Sequence, residues 1–276
     1  MAPALVALPS YAGVMRIALI SLTLLCAACQ EKPAAAPGLP PPPPHPNGQV
    51  LWGIVHGQCV PDEEKSGRPD PCIAVSLPGG EARGYAVLRD KHGSEQYLVM
   101  PTIDITGIED ARLLAPGAPN YFADAWASKP YVDHLIGKTT PRQDMAVSVN
   151  SPYGRSQDLL HLHVDCLTPE SLAALTADAP KINGHWSRAP FTLDGHLYYA
   201  MRLMGETPPA NPFDLLAEGI PGARQDMGAW TLILAGAQFD GQPGFILLAN
   251  RADPLHGDFA SGEELQDHEC RIARAG

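Results

Sequence analysis

The run Leu160-His161-Leu162-His163-Val164-Asp165-Cys166 alternates apolar and polar side chains without a break. Successive side chains of a strand point to opposite faces of its sheet, so a period of two sends Leu160, Leu162 and Val164 into a core. His161, His163 and Asp165 then share the other face, with successive imidazoles about 7 Å apart along the strand. A helix would scatter these residues around its axis, so the segment demands a sheet with one apolar face and one chemically equipped face.

The rest of the chain reads as more strands with a few helices. Segments 85–90 and 96–101 form two strands about a turn at 91–95, centred on His92-Gly93. Segments 145–149 and 159–164 form two more, joined by the loop 150–156. Another strand is expected over 197–204, and a hairpin over 230–234 and 245–249 about Asp240-Gly241. Helices are expected over 120–135, interrupted by Pro130, after a Thr168 cap with Pro169 in the first turn, and over 212–226. Ser261-Gly262-Glu263-Glu264 reads as a capping box that opens a last helix. Strands and helices do not alternate as βαβ units, so the fold class is α+β, an antiparallel sheet with flanking helices.

Composition narrows the function classes. The chain has 276 residues, 45% of them hydrophobic, which supports a buried core and excludes wholesale disorder. The formal net charge is −11 with no Lys/Arg block, so no nucleic-acid partner is expected. No apolar run reaches the roughly 18 residues of a membrane helix, which excludes a polytopic membrane protein.

Residues 1–29 read as an export signal or membrane anchor. Met15-Arg16 supplies positive charge, 17–25 a short apolar core, and Ala27-Ala28 small residues before Cys29. Cys26-Ala27-Ala28-Cys29 resembles a bacterial lipoprotein cleavage box with Cys in place of its usual first Leu. A lipidated Cys29 and an uncleaved signal anchor both remain open, and either means export. Residues 30–48 carry the prolines at 33, 37, 40–44 and 46 and read as a stiff polyproline tether ahead of a domain spanning 49–276.

Beyond the leader stand Cys59, Cys72, Cys166 and Cys270, an even number that implies two disulfides in an oxidising compartment. Three pairings are possible, and sequence alone does not choose. Cys59 and Cys72 bracket a Pro/Asp/Gly-rich loop and look like a local staple; Cys166 and Cys270 would then tie a central strand to the last helix. A zinc site has less support, because there is no Cys-x-x-Cys pair.

The loop before the two histidines, Asn150 to Ser156 with Gly154 and Arg155, carries amide, hydroxyl and guanidinium groups suited to a phosphate. An imidazole is mostly unprotonated at neutral pH. Beside a phosphate it can attack phosphorus and form a phosphoramidate, with no cofactor required. The second imidazole can orient it or manage a proton. His196 and Arg202 lie an even number of residues apart on one strand and are candidate pyrophosphate contacts, although a solvated face explains them as well. Lys138, Arg142 and Arg155 offer local positive charge against the overall negative field. His268, beside Cys270, fits a structural hydrogen bond, and the histidines at 45, 56, 92, 134, 185 and 256 receive no role.

This loop and strand resemble the motif of the histidine-triad superfamily, and the wider pattern is similar to bacterial CDP-diacylglycerol pyrophosphatases. The similarity is carried by Gly84-Tyr85-Ala86-Val87-Leu88, Tyr97-Leu98-Val99-Met100-Pro101-Thr102 and Ala146-Val147-Ser148-Val149-Asn150-Ser151. It continues through Gly154-Arg155-Ser156-Gln157, His161-Leu162-His163, Gly195-His196 and Gln266-Asp267-His268-Glu269-Cys270, roughly residues 50–272. The resemblance implies a HIT-like fold and hydrolysis of CDP-diacylglycerol to CMP and phosphatidate through a CMP-histidine intermediate. It makes His161 the nucleophile and His163 the third triad histidine, while Leu159 stands where the first would be. It gives Ser156 and Asn150 contacts to the phosphate, and the four domain cysteines fall where the family places its own. It further implies a lipid substrate in a membrane and a domain facing the periplasm of a bacterial envelope.

Two other readings compete. One is a metal-dependent phosphohydrolase with His161, His163 and Asp165 as ligands. The other is a non-catalytic nucleotide- or lipid-binding lipoprotein that has lost its first triad histidine.

Overall fold

The computed structural model describes Met1 and residues 38–91 and 95–274. The leader, Cys29, the first part of the proline tether and the His92-Gly93 turn centre lie outside the described residues. A compact unit begins at Leu39, ten residues ahead of the expected domain start at 49. The proline run is already docked at its end: the Tyr153 hydroxyl donates to the Pro40 carbonyl, and His45 Nδ1 lies 2.7 Å from Asp158.

Among the described residues, ten strands form one antiparallel sheet: β1 (Ala74–Ser76), β2 (Tyr85–Arg89), β3 (Tyr97–Pro101), β4 (Met145–Val149), β5 (Leu162–Leu167), β6 (Ser187–Leu193), β7 (His196–Met204), β8 (Trp230–Phe239), β9 (Gln242–Arg251) and β10 (Gln266–Asp267). The order is β1-β2-β3-β5-β4-β8-β9-β7-β6, with the short β10 added to β5. The expected strand at 159–164 begins later, at Leu162. Its approach is pinned by the Leu160 N–H, which donates to the Ile105 carbonyl, so His161 sits at the mouth of the strand.

Seven α-helices among the described residues accompany the sheet: α1 (Val50–Ile54), α2 (Val60–Ser66), α3 (Tyr121–Ala127), α4 (Lys129–Ile136), α5 (Pro169–Asp178), α6 (Pro212–Gly219) and α7 (Arg271–Arg274). The loop expected between Cys59 and Cys72 is largely helix. Pro61, Asp62 and Glu63 stand in the first turn of α2. Gly67, at φ 64°, closes it in the left-handed region. A π-turn, Val55–Cys59, joins α1 to α2. The helix expected over 120–135 is interrupted as expected, α3 ending at Ala127 and α4 opening at Lys129 with Pro130 in its first turn, and α6 stops at Gly219 ahead of Pro221. Thr168 caps α5 as expected, accepting from the Ser171 N–H.

Ser261 makes no capping bond. Residues Gly262–Leu265 form a 3-10 turn, and α7 starts only at Arg271. The disulfides are Cys59–Cys72 and Cys166–Cys270, with Cα atoms 5.6 and 5.2 Å apart.

One face of the sheet buries Val99, Leu162, Val164, Val147, Leu232 and Leu247 beneath Phe122, Trp126 and Phe213 of α3 and α6. The opposite face holds two separate apolar clusters. One packs Ile233, Leu248 and Tyr198 against Leu175 of α5; the other packs Leu98, Met100 and Ala86 against Leu51, Val55 and Val60. The register shows what lies between. Leu98 pairs with His163, His163 with Ser148, and Ser148 with Ile233. Each large apolar side chain buried there would contribute about 1.5–3 kcal/mol. The polar residues in this row interrupt that burial at the centre of the sheet.

Candidate functional site

A cleft of about 490 Å³ opens over this interruption. Its polar wall contains Asn150, Gly154, Arg155, Ser156, His161, His163 and Glu263, and its rim carries Arg89, Asp90 and Lys91 from the end of β2. The remaining wall is aliphatic: Val50, Leu51 and Ile54 of α1, with Pro71, Leu88 and Leu98. Six sequence-predicted site residues therefore meet in one place.

His161 is 7% exposed. Its Nδ1 lies 2.6 Å from the Leu159 carbonyl, which can only accept, so Nδ1 carries the proton and Nε2 keeps its lone pair. Burial, then the neighbouring His163, pushes its pKa down to about 4, so the ring is neutral at physiological pH. The His163 ring stands 5.0 Å away, centre to centre, edge to face. Burial likewise lowers the His163 pKa, against the attraction of Glu263 and Asp90. Neither of its nitrogens has a hydrogen-bond partner.

The loop is built differently from a simple phosphate cradle. The amides of Gly154 and Arg155 donate to the Ser151 carbonyl, and that of Tyr153 to the Ser151 hydroxyl, so these three N–H groups turn inward. Gly154 allows the loop to lie against the 258–261 segment, because a Cβ there would come within 2.9 Å of Ser261 Cβ. Arg155 is committed to Glu109, donating from Nη1 and Nη2 at 2.7 and 2.6 Å, with Asp158 3.3 Å from Nη2. Its guanidinium thus fixes the loop to the 107–110 turn. A Cβ on Gly107 would fall 2.0 Å from Arg155 Nη1, so a side chain there would displace the guanidinium from Glu109.

Asn150 is engaged by the C-terminal segment. Its Nδ2 donates to Glu263 Oε2 at 3.0 Å, and its Oδ1 accepts the Glu263 N–H at 3.3 Å. Asn150 therefore supplies the cap expected from Ser261. The exposed Ser156 hydroxyl, Gln157 and the cations of the rim also line the cleft.

His196 and Arg202 do not join the cleft. His196 lies between Asp258, 3.2 Å from Nδ1, and Glu264, 3.6 Å from Nε2, and the Arg202 guanidinium covers the Phe239 ring. Parity along a strand placed them on one face but said nothing of their position across ten strands. Arg142 is likewise occupied, by Glu206 and by the rings of Trp126 and Phe245. Asp165 is not part of a metal-binding trio with the two histidines: it is fully buried, accepts the Cys166 N–H at 2.7 Å, and lies 2.7 Å from His268 Nδ1.

His268 has the expected structural bond but lies in a turn, not a helix. Hydrogen bonds to Asp165, then Glu263, raise its pKa to about 10, so it is cationic. Burial alone would raise the Glu263 carboxyl, but His163, His268 and Asn150 outweigh it and hold the group well below the usual range. Sequence reasoning missed Glu263, Arg89, Lys91 and the α1 wall. None carries a local signal, because each is defined by what tertiary packing places opposite it.

Residues 46–274 match a family model described as CDP-diacylglycerol pyrophosphatase. A curated CDP-diacylglycerol pyrophosphatase of Yersinia pestis is 40% identical over 227 residues, covering 82% of this chain and 85% of that relative.

Proposed function

Because the chain belongs to the CDP-diacylglycerol pyrophosphatase family, we propose that His161 is the nucleophile with which it hydrolyses CDP-diacylglycerol to CMP and phosphatidate. The observation that carries this reading is the Nδ1–H bond to the Leu159 carbonyl, which leaves an unprotonated Nε2 on a ring that lines the cleft. That lone pair attacks the cytidine-side phosphorus, the Nε2–P bond forms, and the bond from this phosphorus to the bridging oxygen breaks. The electron pair leaves on that oxygen as phosphatidate. The imidazolium so formed keeps its Nδ1–H on Leu159. Water then bonds to the same phosphorus, the P–N bond returns its electrons to Nε2, and CMP departs.

His163 manages the proton beside it. Ser156, Gln157, Arg89 and Lys91 meet the non-bridging oxygens, a task that Asn150 and Arg155 serve only by shaping the loop. The two walls of the cleft suit the two ends of such a substrate, with the aliphatic side from α1, Pro71, Leu88 and Leu98 receiving the glycerolipid. A volume of about 490 Å³ takes a headgroup and the start of the lipid, leaving the acyl chains in a bilayer. No helix among the described residues is long and apolar enough to cross a membrane. In this reading the leader and proline segment export the domain and hold it at the membrane surface of a bacterial envelope.

The experiment is to quench turnover of substrate labelled in the CMP moiety and map the labelled residue. Label on His161 supports the proposal, and label elsewhere, or none with active enzyme, overturns it.

A further inference from the structure

Glu263 is the carboxylate in the polar wall that the two-step scheme leaves without a task. A negative group in a cleft that admits a pyrophosphate repels its own substrate. The fold nevertheless fixes it there from several sides. Asn150 Nδ2 holds Oε2 at 3.0 Å, Asn150 Oδ1 takes the Glu263 N–H, and His268 Nε2 lies 3.3 Å from Oε1. Behind His268 stands Asp165, 2.7 Å from Nδ1 on a strand where it is wholly buried. The Cys166–Cys270 disulfide ties the His268 turn to that same strand. The other side of Oε1 meets His163, whose Nδ1 is 3.5 Å away and whose two nitrogens otherwise lack partners on a ring 4% exposed.

We infer that Glu263 is a positioning residue for water attack: its carboxylate accepts the Nδ1–H of His163 and thereby leaves His163 Nε2 as the base for hydrolysis of the nucleotidylated enzyme. This inference rests on the histidine-nucleophile reading and deepens it. When the water oxygen bonds to phosphorus and the P–Nε2 bond of His161 breaks, one water proton passes to His163 Nε2. The resulting imidazolium would be an uncompensated buried charge without a carboxylate at Nδ1. The proton then leaves to solvent and the ring returns to neutral. The 3.5 Å separation is longer than a formed hydrogen bond, and such contacts tighten when the charged state develops. His268 and Asp165 keep Glu263 ionised and aimed, so the chain Asp165, His268, Glu263, His163 ends beside the nucleophile.

The two chemical steps separate this role from a structural one. In rapid-quench kinetics of the full chain on CDP-diacylglycerol in detergent micelles, Glu263→Gln should release a first equivalent of phosphatidate at nearly the parent rate. Steady CMP release should then fall by about 100-fold, as expected for disabling a general base. Labelled CMP should accumulate on the enzyme, and KM should stay level or drop, because a repelling charge is gone. Glu263→Asp should recover part of the slow step, which also shows that the site folds. In a His163→Asn background, Glu263→Gln should cost less than about twofold more, since the two residues act as a unit.

Equal loss of burst and turnover, or independent multiplication of the two losses, overturns this role for Glu263. Undiminished turnover in His161→Ala would overturn the underlying reading instead, so the two failures are distinguishable.

Discussion

Oε1 of Glu263 and Nδ1 of His163 face each other at 3.5 Å in one wall of the cleft, delivered by a 3-10 turn near the C-terminus and by the central strand β5. Neither residue reaches the other through local structure. The contact depends on β10 pairing with β5 and on Gln266, whose Nε2 donates to the carbonyls of Ala146 and His163. The chemistry of the cleft is therefore sensitive to elements at some distance from the reacting atoms.

Replacing His161 by Ala should reduce CMP release by at least about a thousandfold, as removal of a covalent nucleophile does. The side chain lines a cleft, so the variant should retain its circular dichroism spectrum and cooperative melting. Near-normal turnover would remove His161 from the mechanism.

The acid limb of kcat/KM should fall near pH 4 to 5 and not at the ordinary imidazole value. His161 is pushed down to about 4 by burial and by His163, so its ring stays neutral, as the proposed attack requires, well below pH 6.5. The stability consequence has a definite sign. Between about pH 6.5 and 4 the unfolded chain binds a proton at this position that the folded chain refuses, so stability falls as pH drops through that window. Rate profiles and urea titrations across pH 4–8 check both statements.

His268 should act in the opposite direction. Its pKa is raised to about 10 by Asp165 and Glu263, so the folded protein holds a proton that the unfolded chain releases above pH 6.5. Its stabilising contribution is complete below that value and declines as pH rises toward 10. His268→Gln should flatten the stability curve over pH 7–10 relative to the parent, as read by denaturant midpoints. An unchanged slope would refute the ion pairing.

Arg155→Lys should loosen the loop without touching the substrate. Lysine cannot reproduce the two-pronged contact to Glu109, whose carboxylate is partly solvated, so the cost should be about 1–3 kcal/mol. KM should rise more than kcat falls. Glu109→Gln should mimic it, because both variants break the same pair.

Gly154→Ala tests the close approach of loop and C-terminal segment. The new methyl would lie 2.9 Å from Ser261 Cβ and 3.2 Å from the Phe259 carbonyl. Overpacking of this kind costs about 1–3 kcal/mol, and activity should fall with it. Thermal melting together with turnover provides the measurement.

The α+β class, the antiparallel sheet and the two facing histidines were legible because each follows from short-range rules, while the even cysteine count implied two disulfides and left their pairing open. The 160–166 alternation sorts side chains between faces wherever the strand is placed. Thr168-Pro169 starts α5, and Asp240-Gly241 closes the β8–β9 hairpin, whose two central residues have φ of 51° and 76°. Other expectations failed where local signals are ambiguous. The prolines and glycines between Cys59 and Cys72 suggest a loop, yet much of that segment is helix with Pro61 in the first turn of α2. Ser261 had the spacing of a cap, but Asn150 from a different strand end took its place.

The amino-acid order by itself settled which side chains share the reactive face of the central strand, because backbone pleating converts a period of two into sidedness without any long-range contact. Only the tertiary structure decided which groups confront them. Asn150 and Arg155 were diverted to Glu263 and Glu109, His196 was drawn to Asp258 and Glu264, and α1 was brought in as the aliphatic wall of the cleft. A side chain's partner is set by the lowest free energy of the whole packed assembly. Charges and hydrogen-bond donors are therefore matched across the fold to whichever buried group most needs them, at separations no local pattern can encode.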